Sequence, residues 1–381
     1  MLSSRLLEIS ESKTVSSSNR ASALKSQGIK VYNFGIGEPD FTTPEHIIKA
    51  GFEAAMNGKT HYTPSAGIPE LRAAIAEKME KINNVSCSSS NILVTPTKFS
   101  IYLTFLSILN PGDEVLLPEP YFLSYPEIVK LCSGKPIPVP TDSNFDFDFD
   151  LMEKYVNPRT RAIIISNPCN PTGKVYSEKQ MKQLINFSLE HKLYLISDEI
   201  YEDLIFNGNM FSPASVKEIS EMVVTIGGFS KSYAMTGWRI GYMVASEDII
   251  KASNKLQQQT ITCTSSLAQY AALAAIKDRE TPAKFKESFL RRKKIVESMV
   301  NGSGTMSMRP VDGTFYAFVK YSPRMRSEDY SSALLDKKKV LVTPGSAFGN
   351  QGEGYFRLSF ATDDDTIRQG VELIDKFNQE N

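Results

Sequence analysis

This chain has little of what disulfide and zinc proteins are built on. Its 381 residues include four cysteines and three histidines. Cys87, Cys132, Cys169 and Cys263 are scattered with no CxxC pair, and His46, His61 and His191 cluster with nothing. That distribution argues against a disulfide framework and a zinc site. An excess of one charge is lacking as well. Lys plus Arg and Asp plus Glu each number 43, so bulk electrostatics gives no reason to expect nucleic acid or an anionic membrane as partner. No run approaches the ~20 apolar residues of a bilayer span. Residues 1–12, with Arg5, Glu8 and Glu11, hold no signal-peptide core, which makes a cytoplasmic location the default expectation. No GxGxxG follows an early strand, so a nicotinamide-binding oxidoreductase ranks low. There is no internal repeat. The basic runs Arg291-Arg292-Lys293-Lys294 and Lys337-Lys338-Lys339 read as solvated helix faces.

What is present describes an ordinary globular chain, 41% hydrophobic and 23% charged, with a length that suggests about two domains. Short β-branched runs at Glu114–Leu117, Arg161–Ser166, Lys192–Ser197 and Met222–Ile226 read as central strands of a mostly parallel sheet. Between them lie helical patterns. Glu178–Lys192 places Met181, Leu184, Ile185 and Leu189 on one face, with Ser177 as N-cap. The alternation predicts a three-layer α/β domain, in which ligands sit beyond the carboxyl ends of the strands. The unusual segments follow the strands at that end: Pro118-Glu119-Pro120-Tyr121-Phe122, Asn167-Pro168-Cys169-Asn170-Pro171-Thr172-Gly173, Asp198-Glu199-Ile200-Tyr201, and the stretch around Lys231. After about residue 280 the pattern changes to a long charged helix (284–300), a strand pair within 306–319, short strands at 340–344 and 355–360, and a last helix over 364–377. This is a smaller α+β unit.

Lys231 lies in Gly227-Gly228-Phe229-Ser230-Lys231-Ser232-Tyr233-Ala234-Met235-Thr236-Gly237-Trp238-Arg239. Aromatic neighbours and the chain's only tryptophan would disfavour an ammonium and leave a nucleophilic amine. Such an amine suits a Schiff base to a carbonyl cofactor, with Ser230 and Arg239 as anion ligands. Asp198 reads either as a helix N-cap or as a carboxylate beneath a heteroaromatic nitrogen. Asn170 and Tyr201 could hydrogen-bond a ring hydroxyl. Asn167-Pro168 and Asn170-Pro171 offer two candidate cis peptides.

Taken together, SNPCNPTG, SDEIYEDLIF and GGFSKSYAMTGWRIGY resemble the pyridoxal-phosphate-dependent aminotransferases of class I (fold type I), of the aspartate-aminotransferase-like kind. The resemblance also takes in residues 33–41, 62–72, 342–349 and 355–359. It implies a large domain that binds pyridoxal 5'-phosphate over residues 45–280 and a small C-terminal domain over 281–381. Residues 1–44 would belong with the small domain and form a dimer arm. It implies that Lys231 forms the internal aldimine and shuttles the proton, that Asp198 pairs with the ring nitrogen, and that Asn170 and Tyr201 hold the ring oxygen. Phe122 would stack on the ring; Ser230, Arg239 and, across a homodimer interface, Tyr62 would bind the phosphate. Arg357 would take the substrate α-carboxylate. Gly37 would allow close approach of substrate, with Asn170 and Phe122 also on the substrate side.

One stretch departs from the family pattern. Val94-Thr95-Pro96-Thr97-Lys98 stands where relatives usually have two small residues, and there the amides of Thr97 and Lys98, with the Thr97 hydroxyl, are expected to cradle the phosphate. Lys98, helped by Ser12 and Thr14, would bind the distal carboxylate of an acidic substrate. The expected reaction is ping-pong transfer from aspartate or glutamate to a 2-oxo acid such as 2-oxoglutarate. Aromatic, alanine, kynurenine and lyase-type relatives are its rivals. A non-catalytic regulator would need a DNA-binding extension, whereas the chain opens almost at once with family-like sequence.

Overall fold

In the computed structural model, Leu7, Ile9 and residues 13–381 are described, the stretch 13–18 by its backbone alone. The first helix, Lys13–Ser26, leads to a two-residue strand β1 (Tyr32–Asn33) and then to a seven-stranded sheet. That sheet comprises β2 (Ile92–Val94), β3 (Glu114–Pro118), β4 (Lys135–Val139), β5 (Thr160–Ser166), β6 (Tyr194–Asp198), β7 (Val223–Gly228) and β8 (Gly241–Val244), in the order β2-β8-β7-β6-β5-β3-β4. Strand β8 runs against the direction of the other six. Strands β3, β5, β6 and β7 are almost wholly buried, as runs covered on both faces must be. On one face Leu93, Val115, Ile164 and Val224 pack against Ile101, Leu103 and Phe105 of the helix Thr97–Ile108. On the other, Ile163, Ile165 and Leu195 pack against Met181, Leu184 and Ile185 of the helix Glu178–Glu190. Ser177 caps that second helix, and Gln180 closes the capping box. The result is the expected three-layer α/β arrangement.

Beyond it, β9 (Met306–Met308), β10 (Tyr316–Tyr321), β11 (Val340–Leu341), β12 (Thr343–Pro344) and β13 (Tyr355–Ser359) complete the strands. The order β12-β13-β10-β9 forms an antiparallel sheet. It shares a core with the helices Glu280–Gly302 and Asp364–Gln379 through Phe289, Val296, Phe315, Ile367 and Phe377. Strand β1 pairs in parallel with β11, so the N-terminal segment is bound to the C-terminal unit.

The basic run at 291–294 corrects an expectation. Arg292 and Lys293 are buried rather than solvated. Arg292 grips Asp40 with two hydrogen bonds of 2.6 and 2.8 Å and lies over Phe41 and Phe289. A guanidinium out of water needs such a forked carboxylate.

Candidate active site

The carboxyl ends of β5, β6 and β7 open into a cavity of about 500 Å³. Its lining joins Ser166 and Asn170 after β5, Asp198 and Tyr201 at β6, and Ser230, Lys231 and Arg239 after β7. The helix Thr97–Ile108 adds Thr97 and Lys98, β13 adds Arg357, and the segment after β1 adds Gly35 to Glu38. Four cationic side chains (Lys98, Lys231, Arg239, Arg357) thus meet two carboxyl groups (Glu38, Asp198) among the described residues.

Lys231 Nζ donates to the carbonyl of Gly37 at 2.6 Å. Burial brings its pKa down to about 8, with Arg357 and Arg239 pushing the same way and Glu38 and Asp198 opposing. The cause differs from that read in the sequence. Trp238 points away, packed on Gly51 and bonded through Nε1 to Thr43, while Phe229 and Tyr233 belong to another core. The rings beside Lys231 are those of Tyr201 and Phe315, at 5.9 and 6.0 Å, brought from distant positions in the sequence.

Asp198 is buried, and desolvation raises its pKa to about 6. Two hydrogen bonds work against that rise, from Tyr125 Oη at 2.8 Å and from the Ile200 amide at 3.3 Å. No helix starts at Asp198, so its role is not that of an N-cap. Tyr125 is a site residue that the sequence did not disclose; its only local signal is its place three residues after Phe122, one helical turn on. Their rings meet edge to face at 5.4 Å.

Arg357 is buried with no carboxylate partner among the described residues. Nη1 donates to Asn170 Oδ1 at 3.0 Å, and Nη2 to Gly35 O and Thr343 Oγ1 at 2.9 and 3.3 Å. Its Nε has no partner, and the guanidinium lies 4.3 Å from the Tyr316 ring centre. A buried cation with an unused donor has the chemistry to receive an anion. Tyr201 Oη shares a 2.9 Å hydrogen bond with Tyr316 Oη, which is also where a side chain on Gly37 would collide, at 2.6 Å. Gly37 is therefore required by Tyr316 even before any ligand arrives. The Asn167–Pro168 and Asn170–Pro171 peptides are both cis, as is Glu119–Pro120.

Pro96 precedes the helix Thr97–Ile108, and no acceptor among the described residues takes the amides of Thr97 or Lys98. The Thr97 hydroxyl lies against Gly228 and Gly241, where a Cβ would come within 2.5 and 2.3 Å of it. Free amides at a helix start attract anions. Lys98 Nζ lies 5.6 Å from the Phe122 ring centre, and burial followed by Arg239 lowers its pKa. Arg239, in a left-handed backbone conformation, donates to Thr236 O at 2.8 Å. Tyr62 is 87% exposed and does not line this cavity. Ser12 lies outside the described residues, and Thr14 is described only as part of the first helix. No group of residues able to hold a metal occurs among the described residues.

The sequence matches the family described as aminotransferase class I and II over residues 29–374. It is 40% identical to the probable aspartate/prephenate aminotransferase of Aquifex aeolicus, covering 100% of this chain and 99% of that protein. It is 39% identical to aromatic-amino-acid aminotransferase 2 of Thermococcus litoralis, over 93% of each chain. Among solved structures, Thermus thermophilus aspartate aminotransferase with maleate superposes with a TM-score of 0.95 at 36% identity, over 99% of each chain.

Proposed function

The chain belongs to the class I and II aminotransferase family and moves amino groups from amino acids to 2-oxo acids, and from that premise we propose aspartate or glutamate as donor and a 2-oxo acid such as 2-oxoglutarate as acceptor. The observation that carries this reading is the gathering of four cations around two carboxyl groups in one cavity. That excess suits a phosphate together with a substrate bearing two carboxylates. The maleate held by the Thermus thermophilus relative is a dicarboxylate and supports the same choice.

The cavity fits pyridoxal 5'-phosphate. The unpaired amides of Thr97 and Lys98, with Ser230 and Arg239, would hold its phosphate. Asp198, whose burial disfavours its own ionisation, would be relieved by a protonated ring nitrogen and would keep the proton there. Asn170 and Tyr201 would hold the ring oxygen, and Phe122 would cover the ring. When bound, the cofactor supplies a carbonyl that joins to amines and a ring that draws electrons from the substrate α-carbon. Arg357 pairs with the α-carboxylate and so orients the Cα–H bond. Lys231 Nζ, with its lowered pKa, takes the proton from Cα as general base and returns it as general acid. Lys98 pairs with the distal carboxylate, and Ser12 and Thr14 are assigned to the same end of the substrate.

We assign residues 45–280 to the large domain, 281–381 to the small one, and 1–44 to the small domain and a dimer arm. A homodimer accounts for the exposure of Phe52, Met56 and Tyr62, at 67, 88 and 87%. In it Tyr62 would complete the phosphate site of the partner. Lys98→Ala tests the specificity. KM for aspartate should rise at least about tenfold more than KM for phenylalanine, the loss of one charge-assisted pair. Equal rises would leave Lys98 a phosphate ligand and favour an aromatic donor, as in the Thermococcus litoralis relative.

A further inference from the structure

Glu119 is a buried acid that the chemistry above does not use. It directly follows β3, is 3% exposed, and has no cationic partner among the described residues. Its carboxyl oxygen Oε1 accepts the amide of Asn350 at 2.7 Å. That amide belongs to the loop that follows β12, on the side of the molecule that carries Arg357. Gly349, at φ +111°, lies so close that a Cβ would come within 2.3 Å of Glu119 Oε1. Around this contact the two sides are sewn together. Gln351 accepts from the Thr141 amide and hydroxyl at 3.0 and 2.9 Å and donates to the Thr141 carbonyl at 2.7 Å. The Tyr121 amide donates to the carbonyl of Phe348 at 3.0 Å.

The two chains so joined lead straight to the two halves of the site. Tyr121 precedes Phe122, which lines the cavity, and Tyr125, which holds Asp198. Phe348 lies 5.1 Å from the Arg357 guanidinium, and Thr343, before the loop, donates no charge but accepts from Arg357 Nη2. We propose that Glu119 is a positioning residue, and that its hold on the Gly349–Asn350 turn sets the distance between the ring-covering side of the cavity and the arginine that receives the substrate carboxylate. The inference rests on the roles given above to Phe122 and Arg357. A glutamine in its place would either turn its NH₂ toward the Asn350 amide or accept from it as a neutral group, and in both orientations the carboxyl group that holds the loop is lost.

The test is Glu119→Gln in the holoenzyme. Succinate, which cannot be transaminated, is titrated by calorimetry, with cofactor retention, melting temperature and steady-state constants measured alongside. We expect succinate to bind roughly tenfold more weakly and KM for aspartate to rise in step, with kcat changed less than about threefold and the cofactor retained, since a misplaced receptor weakens ground-state and transition-state binding alike. Gln351→Ala and Thr141→Val, which loosen the same seam and leave the Glu119 carboxyl in place (the Thr141 hydroxyl donates to the Glu119 carbonyl), should move succinate affinity in the same direction. They carry the test if Glu119→Gln fails to fold. Unchanged succinate affinity in a folded variant, or a fall in melting temperature alone, would overturn the proposal and leave Glu119 a structural acid. Parent protein that holds neither pyridoxal phosphate nor succinate would instead overturn the reading on which the proposal rests.

Discussion

Tyr125→Phe removes one hydroxyl and nothing else from a fully packed position, and its effect can be worked through Asp198. That hydroxyl donates at 2.8 Å to a carboxylate buried at the end of β6. A hydrogen bond to a charged group contributes about 1.5–3 kcal/mol, and each 1.36 kcal/mol is one pKa unit. Losing it should raise Asp198 from about 6 by about one to two units. At neutral pH the group then passes from mostly ionised to half or more protonated. A protonated Asp198 cannot hold a second proton on a ring nitrogen. The dissociation constant for pyridoxal phosphate should therefore begin to climb as pH falls at a point one to two units higher than in the parent, and should exceed the parent value by roughly two- to tenfold at pH 7. Equilibrium dialysis from pH 5 to 9 reads this directly. A variant that folds and binds cofactor with the parent's pH dependence would refute both the assignment of Asp198 and its dependence on Tyr125.

Two further outcomes follow from the same geometry. In protein stripped of cofactor, reductive methylation of Lys231 should rise with a midpoint near pH 8, against about 10.5 for an unperturbed lysine. Because the folded value lies below the unfolded one, the unfolded chain binds more protons between those values, and stability from this group increases with pH across that window. A midpoint near 10.5 by peptide mass spectrometry would exclude a desolvated amine. Gly37→Ala would press a methyl group onto Tyr316 Oη and disturb its bond to Tyr201. Overpacking of this kind costs about 1–3 kcal/mol, and kcat/KM should fall at least about tenfold; unchanged kinetics would mean that Tyr316 moves freely.

The strands that carry the site were legible because each is a β-branched run buried on both faces, which local sequence expresses directly. Strands β2 and β8, of three and four residues, gave no such run, and β8 begins with glycine and turns against its neighbours. Side chains whose environment is assembled from afar were the ones misjudged or missed. Lys231 has the lowered pKa that its neighbours in sequence suggested, yet burial by residues distant in sequence creates it, helped by Arg357 and Arg239. Arg292 looked solvated in a run of four basic residues because its partner, Asp40, lies near the other end of the chain. Tyr125 carried no local mark of its bond to Asp198.

The pairing of β1 with β11 has a consequence for how the protein is made. Tyr32 and Asn33 leave the ribosome about three hundred residues before their partners Val340 and Leu341. The segment that follows β1 supplies the carbonyl that meets Lys231 and the carboxylate that meets Arg292. During synthesis, then, the seven-stranded sheet can assemble while Phe34, fully buried in the finished molecule, still waits for its neighbours. Such long-range closure is slow and leaves apolar surface open meanwhile. A nascent chain arrested before β11 would have Lys231 in place and no roof above it, so that amine is sheltered only after β11 has been made.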